Sequence, residues 1–484
     1  MGLVRNVAKN TLAMGSVQVA SQVSTFILSI FLQFYIQDEY GYYSYAFALA
    51  SLIFILADFG LGFQMVVEVA PNKEIASQYL TNTLYLRAIL GGLAMVIALV
   101  VVLLSGLPPL IGLAIMIIAL STAFNWIALT FTSMLTSFER MHYVLYTNLI
   151  ERMFTVSVAI GLLILGFGLL AVVLVVLVGS MINVTLSLFI TSRYIVRPAR
   201  RPDRPKARQQ LRSAIPYATA GIMITSLYSV NAVLVMNLAL WSGTDSLTAA
   251  HSTAIYNLGF NLVIALTAVP TILITALLPV ISRLYKTSTD LTRLTQQKVM
   301  KYMFALGLPV TVGGLILGNR IIQFIYAPTF WDSAQVFRVL LPVIAITYFG
   351  TGIGSVLASA NRIKFNTLAA TLGALVNAAL CFTLIPFFGA VGAAAAFSVA
   401  YLCITSAGLY YLSRYVFKVN LLDILLKPLI AAAGMGVVLL LIPSVSLIPS
   451  VIIGTVAYFL IFFGIGALDK QDKDILIKIL KKGA

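Results

Sequence analysis

The chain has 484 residues; 61% are hydrophobic, only 10% are charged, and the formal net charge is +16. A water-soluble protein of this length needs a far more polar surface, so a soluble enzyme or nucleic-acid-binding domain is excluded. Apolar runs of about 20 residues recur from end to end, each able to cross a hydrocarbon core of roughly 30 Å as a helix. The chain reads as an all-α, polytopic membrane protein.

Hydropathy and turn residues place helices near 12–36, 41–67, 78–105, 108–138, 142–166, 168–193, 212–241, 249–283, 298–318, 331–360, 363–387, 389–413, 423–442 and 446–468, about fourteen crossings. The opening segment, MGLVRNVAKNTLAMGS, lacks the short apolar region and small-residue site of a cleavable signal, so the first helix is expected to remain as a span. With the N-terminus cytoplasmic and the crossings alternating, all 31 lysines and arginines except Arg320 and Arg338 fall at or nearer the cytoplasmic side. A miscounted helix would reverse every later loop, so the count and a cytoplasmic location for both termini support each other. A multi-pass protein of a cell membrane is expected.

The first helix carries an uncharged stripe, Gln18, Gln22, Thr25, Ser29 and Gln33, on one face. Amides and hydroxyls suit sugar hydroxyls, and they also hold helices together. Asp58, low in the second helix, is a structural ion-pair partner or a coupling group. Arg87 in the third helix shares its face with Thr83, Gly91 and Ala94.

In the fifth helix, YTNLIERMFTVSVAIGLLILG, Glu151 and Arg152 adjoin within a membrane span. Counted from His142, Arg152 lies roughly 15 Å deep. A lipid-facing arginine at that depth costs at least about 2.5–3.5 kcal/mol on insertion scales. It is therefore expected to face a polar cavity, on a strip with Asn148, Thr155 and Ala159. Neighbours at i, i+1 do not share a helix face, so Glu151 is expected to be a poor partner for it. Arg87 and Arg152 together could fork a phosphate or pyrophosphate; the alternative pairs Arg87 with Asp58, and Arg152 with Glu151 or Glu139. Arg338 in the tenth helix either draws an anionic headgroup outward or pairs with Asp332.

The segment SRYIVRPARRPDRPKARQQLR joins the sixth and seventh helices. It has almost no interleaved aromatics, so its basic stretch, 193–212, is expected at anionic lipid headgroups rather than on nucleic acid. It separates an N-terminal lobe (1–200) from a C-terminal lobe (207–420), six helices each; 421–484 adds two helices and a basic tail. Faint repeats, YSYAFAL against YNLGFNL and a Phe-Gly turn in each half, suggest pseudo-symmetric lobes. Tyr228, Asn231, Asn257 and Asn261 add aromatic and amide groups suited to a saccharide. Cys381 and Cys403 lie in spans as packing residues, and two histidines leave no metal site.

Serial patterns resemble the MOP superfamily, most closely its polysaccharide-exporter branch of Wzx-type oligosaccharide flippases. They are EYGYYSYAFAL with ADFGLG, SAIPYATAGIMITSLYSVNAVLV, AIYNLGFNLVIALTAVPTILITALLPVISRLY, IIQFIYAPTF, VLASANRIKFNT and NAALCFTLIPFFGAVGAAAAFSVAY. The resemblance implies a MATE-like, two-lobed, alternating-access transporter of polyprenyl-linked oligosaccharides. It implies no cofactor and no covalent chemistry. Many relatives carry an acid where this chain has Asn231, and related flippases build a sodium site with acids. Here the matching region offers Asn231, Asn377 and Cys381, so coupling to sodium, protons or the membrane potential is left open. A monomer is expected. Rival readings are a multidrug or cation antiporter on the same fold, a membrane glycosyltransferase or polysaccharide polymerase, and a passive scaffold.

Overall fold

The structure is a computed structural model and describes residues 21–267, 269–270 and 289–467. Among them run α1 (21–35), α2 (Gln37–Asp58), α3 (Leu61–Val69), α4 (Ala76–Leu104), α5 (Pro109–Ser137), α6 (Met141–Ile164) and α7 (Leu169–Tyr194). The second half continues with α8 (Arg204–Trp241), α9 (Ser246–Leu266), α10 (Thr289–Ile325), α11 (Ser333–Phe349), α12 (Ile353–Ser359), α13 (Lys364–Tyr415), α14 (Leu421–Leu441) and α15 (Leu447–Gly464). Eleven helices among the described residues are long and apolar enough to cross a membrane. The protein is a multi-pass membrane protein, all-helical among the described residues.

The expected fourteen crossings differ from these eleven in three places. The first helix is described only from residue 21 on, and the continuation of α9 beyond Thr267 falls largely outside the described residues. The third place is α13. Its 52 residues would span about 78 Å if straight, but Gly389 takes φ +52 and ψ −131 and turns the chain back. Phe365 consequently stacks on Tyr411 and Tyr415, so α13 is a helical hairpin. Two expected helices are broken instead: the tenth, expected at 331–360, parts between α11 and α12, where Gly352 takes φ +84, and the second parts between α2 and α3. Phe59 and Gly60 both take left-handed conformations between α2 and α3. At Gly60 a Cβ would meet Tyr217 and the backbone of Ala218, so that close approach needs glycine.

Helix α2 is the hub: it packs on α4 and α5 of its own half and on α8 and α9 of the other. At Gly41 a Cβ would lie 1.9 Å from the Ala250 carbonyl oxygen, which shows how closely α2 and α9 approach. The same end of the bundle is tied by Tyr42 Oη to Ser246 Oγ (2.9 Å), Tyr45 Oη to Asn237 Oδ1 (3.3 Å) and the Ala327 N–H to Gln33 Oε1 (2.9 Å). At the opposite, basic end the segment before α8 is strapped across the start of α4. Ser77 Oγ and Gln78 Nε2 donate to the Arg197 and Arg201 carbonyls, and Gln210 Nε2 donates to Thr83 Oγ1 at 2.6 Å. Asp203 and Asp245 cap α8 and α9 through the N–H groups of Lys206 and Thr248. Large apolar side chains such as Leu104, Phe387 and Leu441 are exposed on the bundle surface, where hydrocarbon is a better solvent than water.

Candidate functional site

A cavity of about 340 Å³ opens between the two halves, walled by α1, α2 and α6 on one side and α8 and α9 on the other. Helix α1 lends Thr25 and Ser29 from its polar stripe. Both hydroxyls donate back to their own helix, to the Ser21 and Phe26 carbonyls, and so satisfy their protons internally. Their oxygens remain as acceptors on the cavity wall. Asn257 does the same on α9, donating from Nδ2 to the Thr253 carbonyl at 3.0 Å. Asn261 lines both this cavity and a side pocket of about 110 Å³ that also holds Gln22. Gln22 Oε1 is buried there without a partner among the described residues.

The far wall is aromatic. Tyr228 shares a hydrogen bond between hydroxyls with Tyr401, and Phe260 packs edge-on against Phe397 with centroids 5.1 Å apart. Among the described residues Arg152 is the one charged side chain lining the cavity. It stands near the middle of α6 and is 38% exposed. Thr155, one turn on, shares the lining, as the helical spacing predicts.

The ion pair at Arg152 corrects the expectation for its neighbour. Arg152 Nε lies 3.3 Å from Glu151 Oε2, whose side chain is only 8% exposed. Adjacent residues point apart on a helix, but the long guanidinium bends back to the carboxylate, which faces α7. Glu151 Oε1 accepts from Thr155 Oγ1 at 3.3 Å.

The profile of the polysaccharide biosynthesis protein family matches residues 7–285, more than half of the chain. The chain belongs to that family. Comparison with curated sequences finds no match. Among solved structures, a lipid II flippase MurJ in an inward closed conformation aligns with TM-score 0.75 at 14% identity, covering 94% of this chain and 98% of its own. An inward-facing multidrug resistance MATE transporter of the MOP superfamily aligns with TM-score 0.65 at 14% identity, over 84% and 98%. A MOP superfamily transporter from Pyrococcus furiosus, described as having a binding pocket of reversed polarity, aligns with TM-score 0.60 at 13% identity, over 85% and 97%. The family match bears out the resemblance to polysaccharide-biosynthesis proteins, and the MurJ and MATE structures share this chain's fold.

Other sequence candidates of this family member lie elsewhere. Gln18 lies outside the described residues. Gln33 is fully buried, its oxygen taken by the Ala327 N–H, so it ties the halves together rather than lining the cavity. Asn148 is turned back on the Val144 carbonyl and is not among the lining residues.

Arg87 is withdrawn from the expected fork. It is 2% exposed, and its terminal nitrogens reach Asp58 Oδ1 (2.5 Å), the Trp126 carbonyl (2.5 Å) and Thr130 Oγ1 (2.7 Å). Asp58 is thereby its ion-pair partner. Asn231 and Asn377 are fully buried and satisfy each other: Asn377 Nδ2 donates to Asn231 Oδ1 at 2.6 Å, and Asn231 Nδ2 to the Ala393 carbonyl at 2.8 Å. Arg338 packs over Gly318 of α10, away from the cavity. It has no ion pair with Asp332 among the described residues, and its Nε is buried without a partner there.

Sequence reasoning missed the second polar wall. Tyr40, Tyr43, Ser44, Phe47 and Ser51 on α2 all line the cavity. Their spacing of 3, 1, 3 and 4 keeps one helical face, so the periodicity was readable in EYGYYSYAFALAS.

Proposed function

We propose that this membrane transporter is a flippase carrying a polyprenyl-phosphate- or diphosphate-linked oligosaccharide from the cytoplasmic to the outer leaflet. The observation that carries the reading is Arg152: a guanidinium in mid-span, half-open to a cavity whose other lining combines hydroxyls, amides and aromatic rings with a few aliphatic side chains. A guanidinium suits a phosphate, and neutral polar groups with aromatic faces suit sugars. The headgroup crosses between lobes 1–200 and 207–420 while the polyprenyl chain stays in lipid, and the lobes rock about the seam formed by α2, α8 and α9. The reaction requires no covalent chemistry and no cofactor.

The orientation we propose puts the basic end, with its 193–212 segment at anionic headgroups, in the cytoplasm of a monomer in the plasma membrane. Asn377 spends its amide donor on Asn231 Oδ1 and Asn231 its own on the Ala393 carbonyl, a closed neutral pair that supports transport without a sodium site there. An outward-moving headgroup of charge −2 gains about 4.6 kcal/mol across 100 mV, at about 2.3 kcal/mol per charge. Strict sodium dependence of flipping in vesicles overturns this coupling scheme.

The test is outward movement of a fluorescent polyprenyl-diphosphate oligosaccharide in reconstituted vesicles. The native chain is compared with Arg152→Gln made together with Glu151→Gln, so that no uncompensated carboxylate is left behind. Flipping by the native chain and its loss in a normally folded variant support the reading. Equal flipping removes Arg152 from the site, and no flipping by either chain turns attention to cation export.

A further inference from the structure

We infer that Glu151 is a positioning residue that aims Arg152 at the headgroup and weakens its grip. This rests on the cavity being a headgroup site. Glu151 holds the guanidinium through Nε. Among the described residues no hydrogen bond or ion pair occupies the two terminal nitrogens of Arg152, and the side chain lines the cavity. The edge left free is the one that can offer two parallel N–H donors to a single phosphate.

The carboxylate has its own seat. It is buried where α6 packs on α7, and Thr155 donates to its other oxygen. Across from it, a Cβ on Gly179 would lie 2.1 Å from Thr155 Oγ1, so glycine on α7 leaves room for the hydroxyl that donates to this carboxylate, while Glu151 Oε1 would be in ordinary contact at 3.6 Å.

Such a seat has two consequences. A phosphate cannot pull Arg152 away without stranding a buried carboxylate, so the guanidinium stays in place through binding and release. The pair also carries no net charge, which lowers the attraction for a multiply charged headgroup. A transporter needs that restraint, because a headgroup bound too tightly never leaves.

Two substitutions separate geometry from charge. Glu151→Gln keeps an acceptor for Nε but removes the negative charge. Glu151→Asp keeps the charge but shortens the reach. The probes are farnesyl diphosphate-linked N-acetylglucosamine and its monophosphate counterpart, bound to the purified full chain in detergent, with flipping of the fluorescent substrate measured in vesicles.

We expect Glu151→Gln to tighten binding of the diphosphate probe about tenfold or more, since a full charge across the guanidinium from a partly buried phosphate, roughly 7 Å away, is worth at least that. Its preference for diphosphate over monophosphate should rise, and its maximal flipping rate should fall as release slows. Glu151→Asp is expected to weaken binding of both probes. A merely structural carboxylate would move both variants the same way or neither, and either result overturns the inference while leaving the headgroup site standing. Failure of the native chain to bind either probe overturns the headgroup site itself and the inference with it.

Discussion

Arg87 and Arg152 look alike in the sequence: each is a lone arginine about a third to half of the way along a long apolar helix, in the same half of the chain. The structure treats them oppositely. Arg87 is sealed between α2, α4 and α5, with donors spent on Asp58, the Trp126 carbonyl and Thr130. Arg152 keeps one edge on Glu151 and leaves the other facing the cavity between the halves. The difference teaches that a charge inside a membrane protein is explained by what consumes its donors. Depth alone demands a partner or a cavity, and it does not say which.

The strongest way to break that comparison is Asp58→Ala. It strands the Arg87 guanidinium in a buried site, and removing one member of such a pair costs roughly 3–5 kcal/mol. Thermal melting of the purified protein in detergent should fall sharply, while flipping per folded molecule is retained. If stability holds and flipping is lost, Arg87 belongs to the transport path after all.

Asn377→Ala probes a second buried polar pair of the same kind. Leaving Asn231 Oδ1 without its donor should cost about 1–3 kcal/mol. The melt should shift accordingly, with no change in the response of flipping to sodium.

Arg152→Lys should show the reverse pattern. Lysine can keep the ion pair with Glu151, so the melt should barely move. It lacks the planar fork, so flipping should drop about tenfold, close to 1.4 kcal/mol in the rate-limiting barrier. A lysine variant as fast as native protein would mean that charge suffices and the fork geometry is irrelevant.

The smallest effect is expected at Lys206→Ala. Its pair with Asp203 is 3.4 Å long and the lysine is 70% exposed. Such surface pairs are worth about 0–1 kcal/mol, so neither melt nor flipping should change measurably.

Much of the fold was legible because lipid leaves few options. Long apolar runs must be helices, and breaks fall where glycine and proline allow them. Gly389 shows this: the FFG at 387–389 marks the turn that folds α13 into a hairpin. The break at Phe59–Gly60 was not legible, because hydropathy runs through it unchanged; its cause is the approach of α8 at Tyr217 and Ala218. At the site, the face of Arg152 and Thr155 followed from helical periodicity, as did Thr25 and Ser29. Gln33, Asn148 and Asn231 sit on equally plausible polar positions, yet each is bonded within the protein instead of lining the cavity.

The sequence by itself determined that the chain is a helical membrane protein and that Arg152 must not face lipid. These follow from local composition and the cost of moving polar groups into hydrocarbon, which every residue meets wherever it packs. Only the tertiary structure decided which polar residues meet each other and which meet the cavity. That choice depends on contacts between helices distant in the chain, such as Arg87 with Asp58, Asn231 with Asn377, and Glu151 against Gly179 of α7.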